Sequence, residues 1–109
     1  MMQLTDINAA AIAERFAALA EPMRLRLLNA LRDGELNVGD LAQQAGASPA
    51  NASKHLQLLL QQGFVERRKE GTAIWYKIAD PAVFEMCAIV SAGIDKILER
   101  RRKELRQRS

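Results

Sequence analysis

Apolar residues recur at helical spacing along most of this chain and at strand spacing over one short stretch. Over residues 6–20, Ile12, Phe16 and Leu19 fall on one side of an alanine-rich helix. Glu21-Pro22 restarts the chain, because proline suits a first helical turn and disfavours helix in the residue before it. Met23, Leu27, Leu28 and Leu31 form the apolar side of a second helix, which Gly34 is expected to end in a left-handed cap. A short third helix begins with Asn37 as its cap and Asp40 in its first turn, where a carboxylate favours the positive helix end. Leu41, Ala42 and Ala45 point inward, and Gly46 stops it.

Only Ala47 separates that stop from Ser48-Pro49, a cap followed by proline at the first helical position. The fourth helix runs to about Gln62 and ends at Gly63. Two helices joined by so short a turn containing glycine form a helix-turn-helix over about residues 38–62. The period then changes. Residues 64–69 and 73–78 read as strands joined at Glu70-Gly71-Thr72, with Ile74, Tyr76 and Ile78 alternating with Trp75 and Lys77. Tyr76 is expected in the core and Trp75 on the strand surface. A basic hairpin directly behind a helix-turn-helix is a wing, here about residues 64–78.

Asp80-Pro81 opens a last helix over about residues 81–106. Its roughly 26 residues would span about 39 Å, whereas a 100-residue domain has a radius of gyration near 13 Å, so the rod must project beyond its own core. Val83, Phe84, Cys87, Val90, Ile94, Ile97 and Leu98 form an apolar stripe along it. With the first helix, over about 6–20, it makes the expected dimer surface, carried by Ile12, Phe16, Val83, Cys87, Val90 and Ile94. The expectation is one domain over residues 1–109, mainly α with a two-stranded β wing, in the order α-α-α-α-β-β-α.

Composition narrows the function classes. With 49% apolar and 27% charged residues among 109, the chain is ordinary globular protein and not a disordered one. No apolar run exceeds five residues, against roughly 18 or more for a membrane span, so no membrane is expected. The first twenty residues carry Asp6 and Glu14 and no basic start, unlike a signal peptide. The one cysteine cannot bridge within its own chain and fits a reducing compartment, so the expected location is cytoplasmic. The one histidine leaves too few soft ligands for a zinc site, and no metal or other cofactor is expected. No paired inward carboxylates, no glycine-rich phosphate loop and no base beside Cys87 are evident, so no catalytic residue is assigned and no enzyme is expected.

The net charge of +3 is mild, but its distribution is uneven. Residues 1–47 hold four basic and six acidic side chains, and residues 48–78 hold five and two. Residues 79–98 return to one and three, and the tail from Glu99 holds six and two. Two basic clusters on an acidic scaffold point to a polyanion partner, since neutralised phosphates release counterions.

The order of helices and wing resembles the ArsR/SmtB family of bacterial winged-helix repressors. The resemblance is carried by Ala20-Glu21-Pro22-Met23-Arg24-Leu25-Arg26-Leu27-Leu28, by Glu35-Leu36-Asn37-Val38-Gly39-Asp40-Leu41, and by Ser53-Lys54-His55-Leu56 with Leu59 and Gly63-Phe64-Val65 after it. It covers about residues 12–90. It implies a homodimer that binds a near-palindromic operator on double-stranded DNA and releases it on a signal, here with no identified inducer. Family metal sensors read E-L-C-V-C-D-L at the third helix, where this chain has Asn37 and Gly39. A second class uses histidine on the last helix, which here contains none. Metal sensing is therefore not implied.

The fourth helix would lie in the major groove, its N-terminal residues toward the base edges. If Ala52, Leu56 and Leu59 are buried, the opposite face offers Pro49, Ala50, Asn51, Ser53, Lys54 and Gln57, with Ser48 just before it as a further candidate contact. Asn51 and Gln57 can pair with adenine, Ser53 is adaptable, and Lys54 suits guanine or phosphate. On the wing, Arg68, Lys69 and Thr72 suit the DNA backbone or minor groove, with Arg67 turned away from Arg68 by strand alternation.

His55 is expected to pack between helices. Cys87 is expected to pack as a small apolar residue. Its functional alternative is a redox or persulfide switch, implied by family members that carry sensing cysteines on this helix. The basic run Arg100-Arg101-Arg102-Lys103 reads as the solvated end of a helix, with contact to flanking DNA as its alternative. The alternative for the whole chain is a winged-helix protein-interaction module without specific DNA binding.

Overall fold

Capping side chains divide the chain into its elements much where the sequence places them. The computed structural model describes residues 6–108; residues 1–5 and Ser109 of the expected domain lie outside them. Helix α1 is Asp6–Leu19, and α2 is Pro22–Ala30 with Glu21 as its cap. Strand β1, Leu36–Asn37, runs straight into α3, Val38–Ala45, where the Asn37 side chain accepts from the Asp40 N–H at 2.9 Å. Helix α4, Pro49–Gln61, starts with Ser48 Oγ accepting from the Asn51 N–H at 3.1 Å. Strands β2, Val65–Glu70, and β3, Ala73–Ile78, form the wing, and α5 is Ala82–Arg108.

Two glycines take the expected left-handed stops. After α4, the Gly63 N–H donates to the Leu60 carbonyl and the Phe64 N–H to that of Leu59, with φ +75° at Gly63. This paired arrangement satisfies the last carbonyls and sets Phe64 beside Leu59 in the core. Gly46 does the same for α3 at φ +76°. Gly34 does not. Helix α2 ends at Ala30 with Leu31 as a right-handed cap, and three-residue turns carry the chain on to Gly34. The cause is packing: Leu31 is fully buried, so the helix tightens there instead of unwinding.

The core lies between α2, α3 and α4, filled by Leu27, Leu28, Leu31, Leu41, Leu56 and Leu59. Phe64, Val65 and Tyr76 close it from the wing side, Ala18 from α1 and Val83 from α5. The wing is a hairpin whose partners run from Val65↔Ile78 to Glu70↔Ala73. Its loop is Gly71-Thr72, with φ +61° at Gly71 and no positive φ at Thr72, the sign pattern of a type II′ turn. Beyond the expected two strands, β1 pairs antiparallel with β3 through Leu36↔Tyr76 and Asn37↔Trp75, giving the sheet order β1-β3-β2. Two residues carry too little periodicity to announce a strand in the sequence.

Two arginines fasten the outer helices. Arg24 of α2 donates from Nε to the Ala18 carbonyl at 2.6 Å and from Nη2 to the Ala17 carbonyl at 3.1 Å, satisfying the end of α1. Arg15 of α1 donates from Nη1 to the Gln62 carbonyl and from Nη2 to Asp80 Oδ2. Its guanidinium also lies 4.1 Å from the centre of the Phe64 ring. Asp80 Oδ1 accepts from the Ala82 N–H at 3.1 Å, so one carboxylate both caps α5 and ties it to α1.

Helix α5 leaves the core after its second turn. Val83 is buried and Phe84, Met86 and Cys87 are half-buried, but almost every later residue is exposed. The radius of gyration is 17.5 Å and the longest extent 63 Å, against about 13 Å for the radius of a compact 100-residue domain. The rod projects, as its length requires.

Replacing Arg15 by Met keeps the apolar stem but removes the tie to Gln62 and Asp80. The expected loss of unfolding free energy is about 1–2 kcal/mol, discounted for partial solvent screening, while Leu59→Ala in the core should cost about 2–5 kcal/mol. Urea denaturation of the three proteins checks this, and an Arg15→Met midpoint equal to that of wild type would remove Arg15 as a fastening.

Candidate nucleic-acid interface

The exposed side of α4 is polar because its apolar positions are used by the core. Ala52, Leu56 and Leu59 are fully buried on one side, and Asn51, Lys54 and Gln57 are exposed. Ala50 and Gln61 are exposed as well and complete the outward face. Ser48 is exposed, with its hydroxyl oxygen occupied as the cap of α4. Ser53 is half-buried. It lines a groove of about 310 Å³ with Asn37, Val38, Gly39, Thr72 and Ile74, between the starts of α3 and β3. The structure thus brings Ser53 and Thr72 to one groove and Asn51, Lys54 and Gln57 to the neighbouring open face.

The register of the wing sorts its charges by face. Val65, Arg67 and Lys69 stand opposite Ile78, Tyr76 and Ile74, on the face that continues from the core. Glu66, Arg68 and Glu70 stand opposite Lys77, Trp75 and Ala73 on the outer face. Arg67 and Lys69 are exposed and form no ion pair among the described residues, and the same holds for Lys54. Lys69 shares its face with Arg67, and Arg68, the other expected wing contact, lies on the opposite face.

Arg68 is also occupied. Its Nε donates to both Glu35 oxygens at 3.1 and 3.0 Å, its Nη2 to Glu35 Oε1 at 2.6 Å, and its Nη1 to Glu70 Oε2 at 2.6 Å. Its guanidinium sits 5.3 Å from the centre of the Trp75 ring. The hydrogen bonds from Arg68 hold the Glu35 carboxyl below its ordinary range, and the two carboxylates raise the already high Arg68 value further. Sequence reasoning missed Glu35, which lies 33 positions from its partner.

His55 is half-buried and joins α4 to α2, in keeping with its expected packing role. The Arg24 Nη1 lies 3.2 Å from His55 Nδ1, and His55 Nε2 lies 4.0 Å from Glu21 Oε2.

Of the expected dimer residues, Val83 is 0% exposed and belongs to the core of its own chain, so it has no surface to offer a partner. The helical stripe that contains it turns from core to solvent as α5 leaves the body. Phe16, Val90 and Ile94 are 53%, 59% and 53% exposed, and Ile12 is half-buried. Cys87 is half-buried, packs against the core and lines an apolar cleft of about 440 Å³ with Phe16, Leu25, Met86, Val90 and Ile94. Among the described residues no group of three His, Cys, Asp or Glu could hold a metal ion, and no helix is long and apolar enough to cross a membrane.

Comparison with known proteins agrees with this geometry. The model of the family described as bacterial regulatory protein, arsR family, matches residues 21–67. The HTH-type transcriptional regulator Rv0081 of Mycobacterium tuberculosis, itself uncharacterised, is 34% identical over 82% of this chain and 79% of its own length. Its crystal structure superposes with a TM-score of 0.77 at 32% identity, covering 89% of this chain and 98% of that one. A transcriptional repressor SmtB homologue of Synechocystis is 41% identical over 72% of this chain and 60% of that protein. The homodimeric winged helix-turn-helix DNA-binding domain of Mb0332 from Mycobacterium bovis, a possible ArsR-family transcriptional regulator, superposes with a TM-score of 0.72 at 37% identity, covering 92% and 95%. Fold and likeness together define a winged helix-turn-helix transcriptional regulator that binds DNA. The chain belongs to the arsR family of bacterial regulatory proteins.

The Glu35–Arg68 contact has a definite acid limit. A carboxyl depressed in the folded state contributes stability above its unfolded value, and that contribution is lost as pH falls through the folded value. The contact therefore holds at neutral pH and loosens in a transition centred below the ordinary carboxylate value of 4.5. Trp75, the one tryptophan of the chain, lies against Arg68 and reports this by its fluorescence. Emission is expected to change in an acid transition centred below pH 4.5, and Glu35→Gln should abolish the change; an identical acid transition in that variant would assign it to another group.

Proposed function

We propose that the protein is a homodimeric repressor in the bacterial cytoplasm that binds a near-palindromic operator and releases it on a signal. One observation supports the DNA-binding surface: Asn51, Lys54 and Gln57 of α4 are exposed, and Arg67 and Lys69 share one face of the wing and form no ion pair among the described residues. Helix α4 enters the major groove with the two amides and Lys54 toward the base edges. Lys69 and Thr72 approach the backbone at the wing, joined by Arg67, and Ser48 and Ser53 flank the helix start.

The residues form one DNA-binding unit over 1–109, with α1 and α5 as dimerisation helices. Ile12, Phe16, Val90 and Ile94 supply the dimer contact, with Cys87 at its edge. Two recognition helices about 34 Å apart would match one turn of DNA. Repression follows the Synechocystis relative, which is named a repressor. Its name says nothing of a signal for this chain, whose Asn37 serves as the cap of α3. The protein acts as a binding protein, with no catalytic step assigned.

Selection of bound duplexes from a random pool at near-physiological salt tests the reading. A two-fold related motif supports it, and the absence of any enrichment favours the protein-interaction module. On the selected operator, Lys54→Ala should weaken binding by about 1–3 kcal/mol if Lys54 reads a base, and unchanged affinity at fixed salt would remove it from the contacts. Lys69→Ala should reduce the slope of log affinity against log salt by about one. An identical slope would reject that phosphate contact.

A further inference from the structure

We infer that Arg68 and Glu35 are positioning residues that set the angle of the wing against the recognition helix, and are not themselves DNA contacts. The inference rests on the DNA-binding reading above and concerns how its wing is held. Burial holds β3 through Tyr76 and Ile74, but beyond Val65 every residue of β2 is exposed, so β2 is held there by its strand pairing and its outer-face side chains. Ile74 packs against the core from β3, but no side chain of β2 past Val65 does so. On the outer face Arg68 reaches from β2 to Glu35, in the segment immediately before β1, with the Trp75 ring of β3 beside its guanidinium. One side chain thus crosses β3 from β2 and reaches the residue just before β1.

The far end of that tie is the helix-turn-helix itself. Glu35 is two residues before Asn37, which pairs with Trp75 and caps α3. Helix α3 is packed on α4 through Leu41, Ala42 and Ala45. The fork of Arg68 therefore connects the wing to the start of α3 by a planar, two-pronged contact whose direction is fixed by geometry. Charge argues the same way. The outer face holds Glu35, Glu66 and Glu70 against Arg68 and Lys77, with Lys77 itself 3.6 Å from Glu66. It carries an excess of acid and repels a phosphate backbone. The opposite face presents Arg67 and Lys69 without counter-charges.

The two roles for Arg68 give opposite results. If Arg68 met phosphate and Glu35 competed for it, Glu35→Gln would tighten operator binding. As positioning residues, Glu35→Gln and Arg68→Lys should each weaken binding by roughly three- to tenfold with the salt slope unchanged, whereas Lys69→Ala lowers the slope. Arg68→Lys is the sharper of the two, because lysine keeps the charge for a phosphate but loses the fork. Both variants should also shift the emission of Trp75 in the free protein. Affinities and slopes are measured on the selected operator, with active fractions titrated for each variant. Tighter binding by Glu35→Gln or wild-type binding by Arg68→Lys would overturn the inference. Wild-type protein that enriches no duplex would instead overturn the DNA-binding reading beneath it, and the assigned purpose of the tie would fall with that.

Discussion

The seating of the outer helices α1 and α5 on the core depends on the contact between Arg15 and the segment where α4 gives way to the wing. Its guanidinium meets the last carbonyl region of α4 at Gln62, the ring of Phe64 and the carboxylate of Asp80. Those three groups belong to the end of one helix, the approach to the wing and the start of another helix. Gly63 makes the meeting possible, because its positive φ turns the chain sharply enough to bring Phe64 back under α4. Without a cation at that corner, the Gln62 carbonyl and Asp80 would rely on water, and α1 would hold to the body mainly through Ala18, Leu19 and Arg24.

The wing shows how a strand divides labour at no cost in length. Alternation sends Val65, Arg67 and Lys69 one way and Glu66, Arg68 and Glu70 the other. One face begins as core and ends as open cation. The other is a closed set of ion pairs around Trp75. A basic run in the sequence therefore reads as one patch but folds into two surfaces of opposite character.

What was legible in the sequence was mostly local. Asn37, Ser48, Gly46 and Gly63 act within a few residues of themselves, so their roles as caps and stops follow from short-range chemistry. The hydrophobic period placed Leu56, Leu59 and Tyr76 inside, and it left the polar side of α4 outside. What escaped was set by contacts between distant positions. Arg15 and Asp80 are 65 residues apart, and Arg68 and Glu35 are 33 apart, and no periodicity links them. Val83 was misplaced for a related reason: a helical stripe states which side of α5 is apolar, but not where along its length the body stops and solvent begins. Gly34 was misjudged because a buried Leu31 outweighed the local preference of glycine for a helix stop. Proximity in space, not residue type, decided each of these.

Helix α5 has a mechanical consequence. It is seated in the body over little more than its first two turns, near Asp80, Val83 and Cys87, and runs on to Arg108. Its 27 residues make a stiff arm, and over about 40 Å a tilt of roughly 5° at the seat carries the far end through about 3.5 Å. The reverse also holds. A hold on the far turns acts on the seat with long leverage, and the seat shares Asp80 and Arg15 with the end of the recognition helix.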